Sequence, residues 1–212
     1  MALQTIVGMG GFPDAPLVDH VLGLAGGRRV LVDRAASPQH DWVPDWDAEL
    51  TPLSFYPWPP DDLRELALSQ DAICVCGGNT ANMLAVWRVH GFDQILREAW
   101  EAGIVLFGWS AGMICWFEAG VTDSFGPQLA GLRDGLGFLP GSACPHYDGE
   151  ELRRPVYTSL AADGFPPGIA LDDAAAAHFH ETELVEVVST VEGSRGYRVG
   201  PDGEEPLETR LL

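Results

Sequence analysis

Gly108-x-Ser110-x-Gly112 is the stretch of this chain whose residue types and spacing speak most directly of chemistry. An apolar run, Ile104-Val105-Leu106-Phe107, leads straight into it, and a helical stretch is expected from Met113. A nucleophile elbow needs that context, because its strand-to-helix turn is too tight for β-carbons at the flanking positions and lifts the serine hydroxyl above the strand ends. A serine so placed can attack a carbonyl if a base takes its proton and backbone N–H groups hold the oxyanion. The Ala111 N–H is the first such donor. Taken alone, the same string also describes a plain strand-to-helix turn. A second glycine turn, Gly77-Gly78-Asn79-Thr80, follows the apolar run Ala72–Cys76. In a parallel sheet the ends of such strands collect at one edge, so the Gly78 N–H is the second expected oxyanion donor. Asn79 or Thr80 can cap the helix that follows.

The general base must come from six histidines. His20 and His90 sit on helical stretches and His40 lies in an aromatic loop. His146 follows Pro145, which breaks regular structure and sets the imidazole at a strand exit, where catalytic loop residues gather. His178 and His180 share one face of a strand, with Glu181 and Glu183 nearby. A metal site can be drawn there only weakly, and no metal is assigned.

The elements that must position these groups alternate between short β-type runs and helical patterns, the mark of a mainly parallel sheet covered by helices. Thr5–Met9 reads as the first strand, and Asp14 caps a helix to about Leu24, closed by Gly26-Gly27. Arg29–Val32 is a second strand, Ser37–Asp47 a long aromatic loop, and Leu53–Tyr56 a third strand, with a helix opening at Pro59-Pro60-Asp61. Ala72–Cys76, a helix carrying Met83, Leu84 and Trp87, a helix over Phe92–Trp100 and the strand Ile104–Phe107 complete the central pattern. Beyond Leu171 the pattern turns hairpin-like, with strands near Ala175–Phe179, Leu184–Ser189 and Gly196–Val199. Residues 1–212 are expected to form one α/β domain.

Charge narrows the function classes. Thirty-one acidic residues face twelve basic ones, all arginine, for a net charge of −19. Nucleic acids and anionic membranes are therefore not expected partners, since both need a basic footprint. A chain without lysine excludes Schiff-base chemistry, a lysine-bound pyridoxal cofactor and a Walker-type phosphate loop. No apolar run is long enough to span a bilayer and the start of the chain lacks a signal-peptide pattern, so a cytoplasmic location is the expectation. Cys74, Cys76, Cys115 and Cys144 show no C-x-x-C spacing and read as buried thiols.

Gly77-Gly78-Asn79-Thr80, Gly108-Trp109-Ser110-Ala111-Gly112 and Pro145-His146-Tyr147 occur in this order, at similar spacing, in the peptidase E family of serine peptidases, which this chain resembles. The cyanophycinases are a more distant branch. The likeness runs from the Gly-Gly-Asn strand to about Gly168–Asp173. It implies a class I glutamine amidotransferase-like α/β sandwich, with Ser110 as nucleophile, His146 as general base and no cofactor. It also implies an acidic third member in the segment Asp172-Asp173-Ala174, and Asp173 is assigned to orient His146. The chain departs from the family there, with Asp for Glu and Ala for Gly. Asp123 is the second choice. Family members cleave dipeptides with an N-terminal Asp, which implies a small peptide substrate, with Asn79 and Arg153 as substrate contacts and Arg153 meeting the Asp carboxylate. Relatives often pair, so a homodimer is a further expectation, with the Trp42/Trp46 region expected to be exposed and to contribute.

Two other readings compete. An α/β-hydrolase esterase would recruit His178 or His180, with Asp134 or Asp148 as the acid, in the order Ser, acid, His. Alternatively, the scaffold serves as a binding or regulatory module that no longer turns over. A class I amidotransferase is disfavoured because its chemistry needs cysteine where Ser110 stands.

Overall fold

A computed structural model describes residues 3–37 and 43–212. In chain order the elements are β1 Thr5–Met9, α1 Ala15–Ala25, β2 Arg29–Asp33, β3 Glu49–Leu53, α2 Leu63–Leu68, β4 Ala72–Val75, α3 Thr80–His90, α4 Phe92–Glu101, β5 Val105–Trp109 and α5 Ala111–Ile114. They continue with β6 Phe117–Thr122, β7 Ala130–Leu132, β8 Leu139–Cys144, α6 Arg153–Ala162, β9 Gly168–Leu171, β10 Ala175–His180, β11 Glu183–Ser189, β12 Gly196–Gly200, β13 Gly203–Pro206 and β14 Thr209–Leu211.

The strands form two sheets. An eight-stranded sheet runs β14-β11-β10-β1-β5-β4-β2-β3, and a six-stranded sheet runs β13-β12-β9-β8-β6-β7. Within the first, β1, β5, β4, β2 and β3 are mutually parallel, and β10 joins β1 antiparallel. β1, β4 and β5 are buried throughout, so near-continuous apolar sequence suits them. One face of the sheet packs under α1 through Val7, Met9, Val18, Val21, Phe107 and Val188. The other packs against α3, α4 and α5 through Ile6, Leu31, Trp87, Leu96, Met113 and Trp116.

The helix signals operate as expected. Asp14 accepts a hydrogen bond from the Leu17 amide to open α1, and Gly26, at φ 65°, closes it in the left-handed conformation. Of the two expected cap candidates, Asn79 rather than Thr80 opens α3; Gly91, not singled out in the sequence, closes it.

Several expectations need correction. The third strand is Glu49–Leu53, not Leu53–Tyr56. It lies at the end of the sheet and pairs with β2 alone, an edge position that tolerates Pro52 and a part-exposed sequence. The helix after Ser110 is a single turn that opens at Ala111 rather than a stretch starting at Met113. Most importantly, a second sheet draws on residues 117–144, 168–171 and 196–206, where the only strands expected were Gly196–Val199 and one leading out to His146. The late hairpin region is divided: β10 and β11 extend the first sheet, whereas β12 and β13 extend the second. The expected exposure of the Trp42/Trp46 region fails for Trp46, which is part-buried against Phe107 and Trp109. Trp42 and His40 lie outside the described residues.

Candidate active site

Ser110 follows β5 directly and adopts φ 56° and ψ −114°, a conformation that side-chain-bearing residues rarely take. Such a residue stores about 1–3 kcal/mol of strain and must be held by its surroundings. Here its amide donates to the Met9 carbonyl at 3.3 Å, and its own carbonyl accepts from Met113 and Ile114 to start α5. The two glycines explain the tightness of the turn. A β-carbon at Gly108 would lie 2.3 Å from the Val75 carbonyl oxygen, and one at Gly112 would lie 2.1 Å from the same atom. Both glycines thus let β5 and α5 press onto the backbone of β4.

β4 delivers the second glycine turn to the same place. A β-carbon on Gly77 would stand 3.2 Å from Ser110 Cβ, so the turn passes immediately beside the serine. Gly78 has φ 140°, and a side chain there would strike Ser37 Oγ and the Ala36 carbonyl. Asn79 is committed to structure at both ends of its amide. Its Oδ1 accepts from the Asn82 amide at 2.9 Å, and its Nδ2 donates to the Ser124 carbonyl at 3.0 Å.

His146 leaves β8 at φ 53°, and its amide donates to the Gly10 carbonyl at 3.2 Å. Ser110 and His146 are therefore anchored to consecutive carbonyls, Met9 and Gly10, at the end of β1. His146 Nδ1 lies 2.6 Å from Asp173 Oδ1, a charge-assisted distance. With Nδ1–H donating to that carboxylate, the lone pair sits on Nε2. No direct hydrogen bond joins Ser110 to His146 among the described residues; such bonds are often long before substrate binds. Asp173 is itself held by its backbone: its amide donates to Asp148 Oδ1 at 2.8 Å, and its carbonyl accepts from the Gly11 amide at 2.9 Å.

The remaining expected site residues take other positions. Asp123 is exposed, in a turn whose neighbours Thr122 and Ser124 fasten the start of α3. Arg153 is 3% exposed; its Nε donates to Glu150 and its Nη1 to the Val121 carbonyl, each at 2.7 Å. The neighbouring Arg154 lies over the rings of Tyr147 and Tyr197, 4.7 Å from each. Among the described residues, neither His178 nor Asp134, two members of the rival esterase constellation, is hydrogen-bonded to Ser110. His178 neighbours Glu186, and Asp134 pairs with Arg88 at 2.7 Å.

Sequence reasoning missed the groups that make room for Asp173. A β-carbon on Gly149 would lie 2.1 Å from Asp173 Oδ2, and one on Gly11 would lie 2.8 Å from Oδ1. Gly10-Gly11 and the run His146-Tyr147-Asp148-Gly149 carried that signal, but only the contact with Asp173 gives it meaning. Asp148 had a place only as a rival acid, yet it fixes the Asp173 amide.

Known proteins resemble the chain in sequence and in fold. The chain is 52% identical over 148 residues to the uncharacterized peptidase YgaJ of Bacillus subtilis (strain 168), covering 69% of this chain and 64% of that one. It is 26% identical over 142 residues to peptidase E of Shewanella denitrificans, covering 63% and 60%. The matched part thus spans less than two thirds of either curated relative. The crystal structure of a peptidase from an acI-B1 Actinobacterium superposes with a TM-score of 0.66 at 14% identity, over 98% of this chain and 95% of that one, a likeness of fold. The profile of peptidase family S51 matches residues 38–187, a span that includes the Gly77-Gly78 turn, the Ser110 elbow, His146 and Asp173. With well over half of its length so matched, the chain belongs to peptidase family S51.

Proposed function

We propose that this protein is a serine peptidase that cleaves small peptides through an acyl-enzyme formed on Ser110. The observation that carries the reading is the 2.6 Å pair of His146 Nδ1 and Asp173 Oδ1, anchored beside a strained Ser110 at the end of one strand. In this mechanism His146 Nε2 takes the Ser110 proton as Oγ attacks the scissile carbonyl. The Gly78 and Ala111 N–H groups hold the oxyanion, and the imidazolium then protonates the leaving amine. Water, deprotonated by His146, releases the acyl group. Asp173 keeps the imidazole in the required tautomer. None of these steps calls for a metal or an organic cofactor. The same reading carries the class I glutamine amidotransferase-like sandwich and a cytoplasmic setting.

A cleft of about 480 Å³ adjoins Gly78, lined by Ser37, Tyr56, Asn79, Asn82 and Val86 among others. Its described lining is polar but uncharged. A peptide with an N-terminal Asp would need a cation, and Arg153 already binds Glu150 and Val121. This supports small neutral peptides as the better substrates and Asp-X dipeptides as poorer ones.

The test is hydrolysis of Asp-Leu, several neutral dipeptides and small esters by the wild type and by Ser110→Ala, His146→Ala and His178→Ala. Activity should be greatest on neutral peptides. It should fall by about 10⁴–10⁶ in the Ser110 and His146 variants, and it should survive in His178→Ala. Loss in His178→Ala with survival in His146→Ala would transfer the case to the esterase reading. Hydrolysis indifferent to Ser110, or none on any substrate, would sink the proposal.

A further inference from the structure

A second cluster of chemically capable side chains lies on the α1 face of the large sheet, away from Ser110. His20 comes from α1, His178 from β10 and Glu186 from β11, where His178 and Glu186 are cross-strand partners. His20 Nε2 lies 3.6 Å from Glu186 Oε1, and His178 Nδ1 lies 3.9 Å from the same oxygen. All three donor atoms fall within 4.8 Å of one another. The side chains are 14%, 12% and 29% exposed. Both ring nitrogens are fully buried, and among the described residues neither has a partner within hydrogen-bond distance. Burying a polar atom unpaired is costly, and here two are buried at the same point.

The surroundings orient rather than satisfy them. Arg210, on β14, donates from Nε and Nη2 to Glu186 Oε2, at 3.0 and 2.8 Å, which turns Oε1 toward the histidines. Burial is the main influence lowering the pKa of both imidazoles; Glu186 opposes it, and Arg210 for His20, and His20 and His180 for His178, reinforce it. Neutral rings keep a lone pair for a ligand, provided each carries its proton on the other nitrogen. Two imidazoles and one carboxylate form a donor set suited to zinc and its neighbours rather than to magnesium or calcium, which prefer oxygen.

We propose that His20 Nε2, His178 Nδ1 and Glu186 Oε1 form a binding site for a zinc-class transition-metal ion, which fastens α1 to β10 and β11. Donors about 2.0–2.1 Å from one tetrahedral ion stand about 3.3–3.5 Å apart. The pairs involving Glu186 are already near that spacing, and small side-chain rotations close the remainder. The three side chains fill three of the four tetrahedral positions. It is separate from the His146–Asp173 pair: His178 lies within β10, whereas Asp173 stands in the turn before that strand.

Calorimetric titration of the chelator-treated full chain with Zn²⁺ tests this, supported by the visible absorption of the Co²⁺ form. One ion per chain is expected. His20→Gln and His178→Ala should each weaken binding by at least about tenfold, the range seen even for residues one shell out from a metal. The His146→Ala variant should bind as the wild type does, which separates this site from the His146–Asp173 pair. Should His178→Ala fail to fold, His20→Gln, whose histidine is borne on the outer helix, decides the matter with Glu186→Gln. Binding without a defined stoichiometry, binding unchanged in the His20 and Glu186 variants, or binding abolished by His146→Ala would each overturn the proposal.

Discussion

An aspartate can reach His146 here because β-carbons are missing on both sides of it. Asp is one methylene shorter than Glu, so its backbone must approach the imidazole more closely. Gly11 and Gly149 leave the space, and Asp148 binds the Asp173 amide in that position. If Asp173 orients His146, then Gly149→Ala should act through that carboxylate. Its new methyl group would fall 2.1 Å from Oδ2 and push it off Nδ1. Asp173→Asn should lower kcat by about 10⁴, the cost of holding the wrong tautomer. Gly149→Ala should lower kcat by a smaller factor, with little change in melting temperature because Gly149 is exposed. The decisive measurement is the pair of changes together. In an Asp173→Ala background, Gly149→Ala should cost nothing further, since the atom it displaces is gone. A full additional loss there would show that Gly149 acts on the loop and not on the acid.

Among the elements, β2 and α3 are joined by a buried carboxylate. Asp33 accepts from the Ala35 amide at 3.1 Å and from Trp87 Nε1 at 2.9 Å. Burial nevertheless pushes its carboxyl up from 3.8 to about 7. Because the folded value is the higher one, folding takes up a proton between the two. The stability gained is complete below about pH 4 and is lost as pH rises through about 7, a difference on the order of a few kcal/mol. Urea midpoints at pH 4.5 and pH 8 should therefore diverge for the wild type more than for Asp33→Asn, which cannot ionise; parallel behaviour would refute the coupling. The elements around the site were the most legible in sequence, because β1, β4 and β5 are continuous apolar runs, and Asp14, Asn79 and Gly26 are helix caps. The second sheet was not, for a physical reason. Its strands are short and interrupted, as in Leu139-Pro-Gly-Ser-Ala-Cys144 and Gly168-Ile-Ala-Leu171. They pair by close backbone approach, a β-carbon on Gly168 falling 1.8 Å from the Ser142 carbonyl oxygen, rather than by apolar alternation. Ser110 and His146 could be singled out from local motifs. The room around Asp173 could not, because it arises from contacts between residues 11, 149 and 173.

The whole molecule carries a net charge of −19, and two salt effects of opposite sign follow from it. Several arginines are held in surface pairs, among them Arg29–Asp71, Arg64–Glu98 and Arg88–Asp134. Such pairs contribute about 0–1 kcal/mol each, and salt weakens them. The excess of nineteen negative charges repels across the folded surface, and salt relieves that repulsion. Raising the ionic strength from about 0.01 to about 1 M shortens the screening length from about 30 to about 3 Å, which removes long-range repulsion while contact pairs only weaken. The repulsion therefore dominates, and the melting temperature should rise with NaCl. The same field acts on an approaching peptide. For a substrate with a free acidic side chain, kcat/KM should climb with salt, whereas a neutral peptide of equal length should change little. Should Asp-X peptides be cleaved poorly, as proposed, measuring both peptides across that range separates two causes. If the acidic peptide approaches the neutral one at high salt, the field of the protein had kept it out. If it stays slow, the cleft itself lacks a cation for it, as its lining, uncharged among the described residues, and the committed guanidinium of Arg153 lead us to expect.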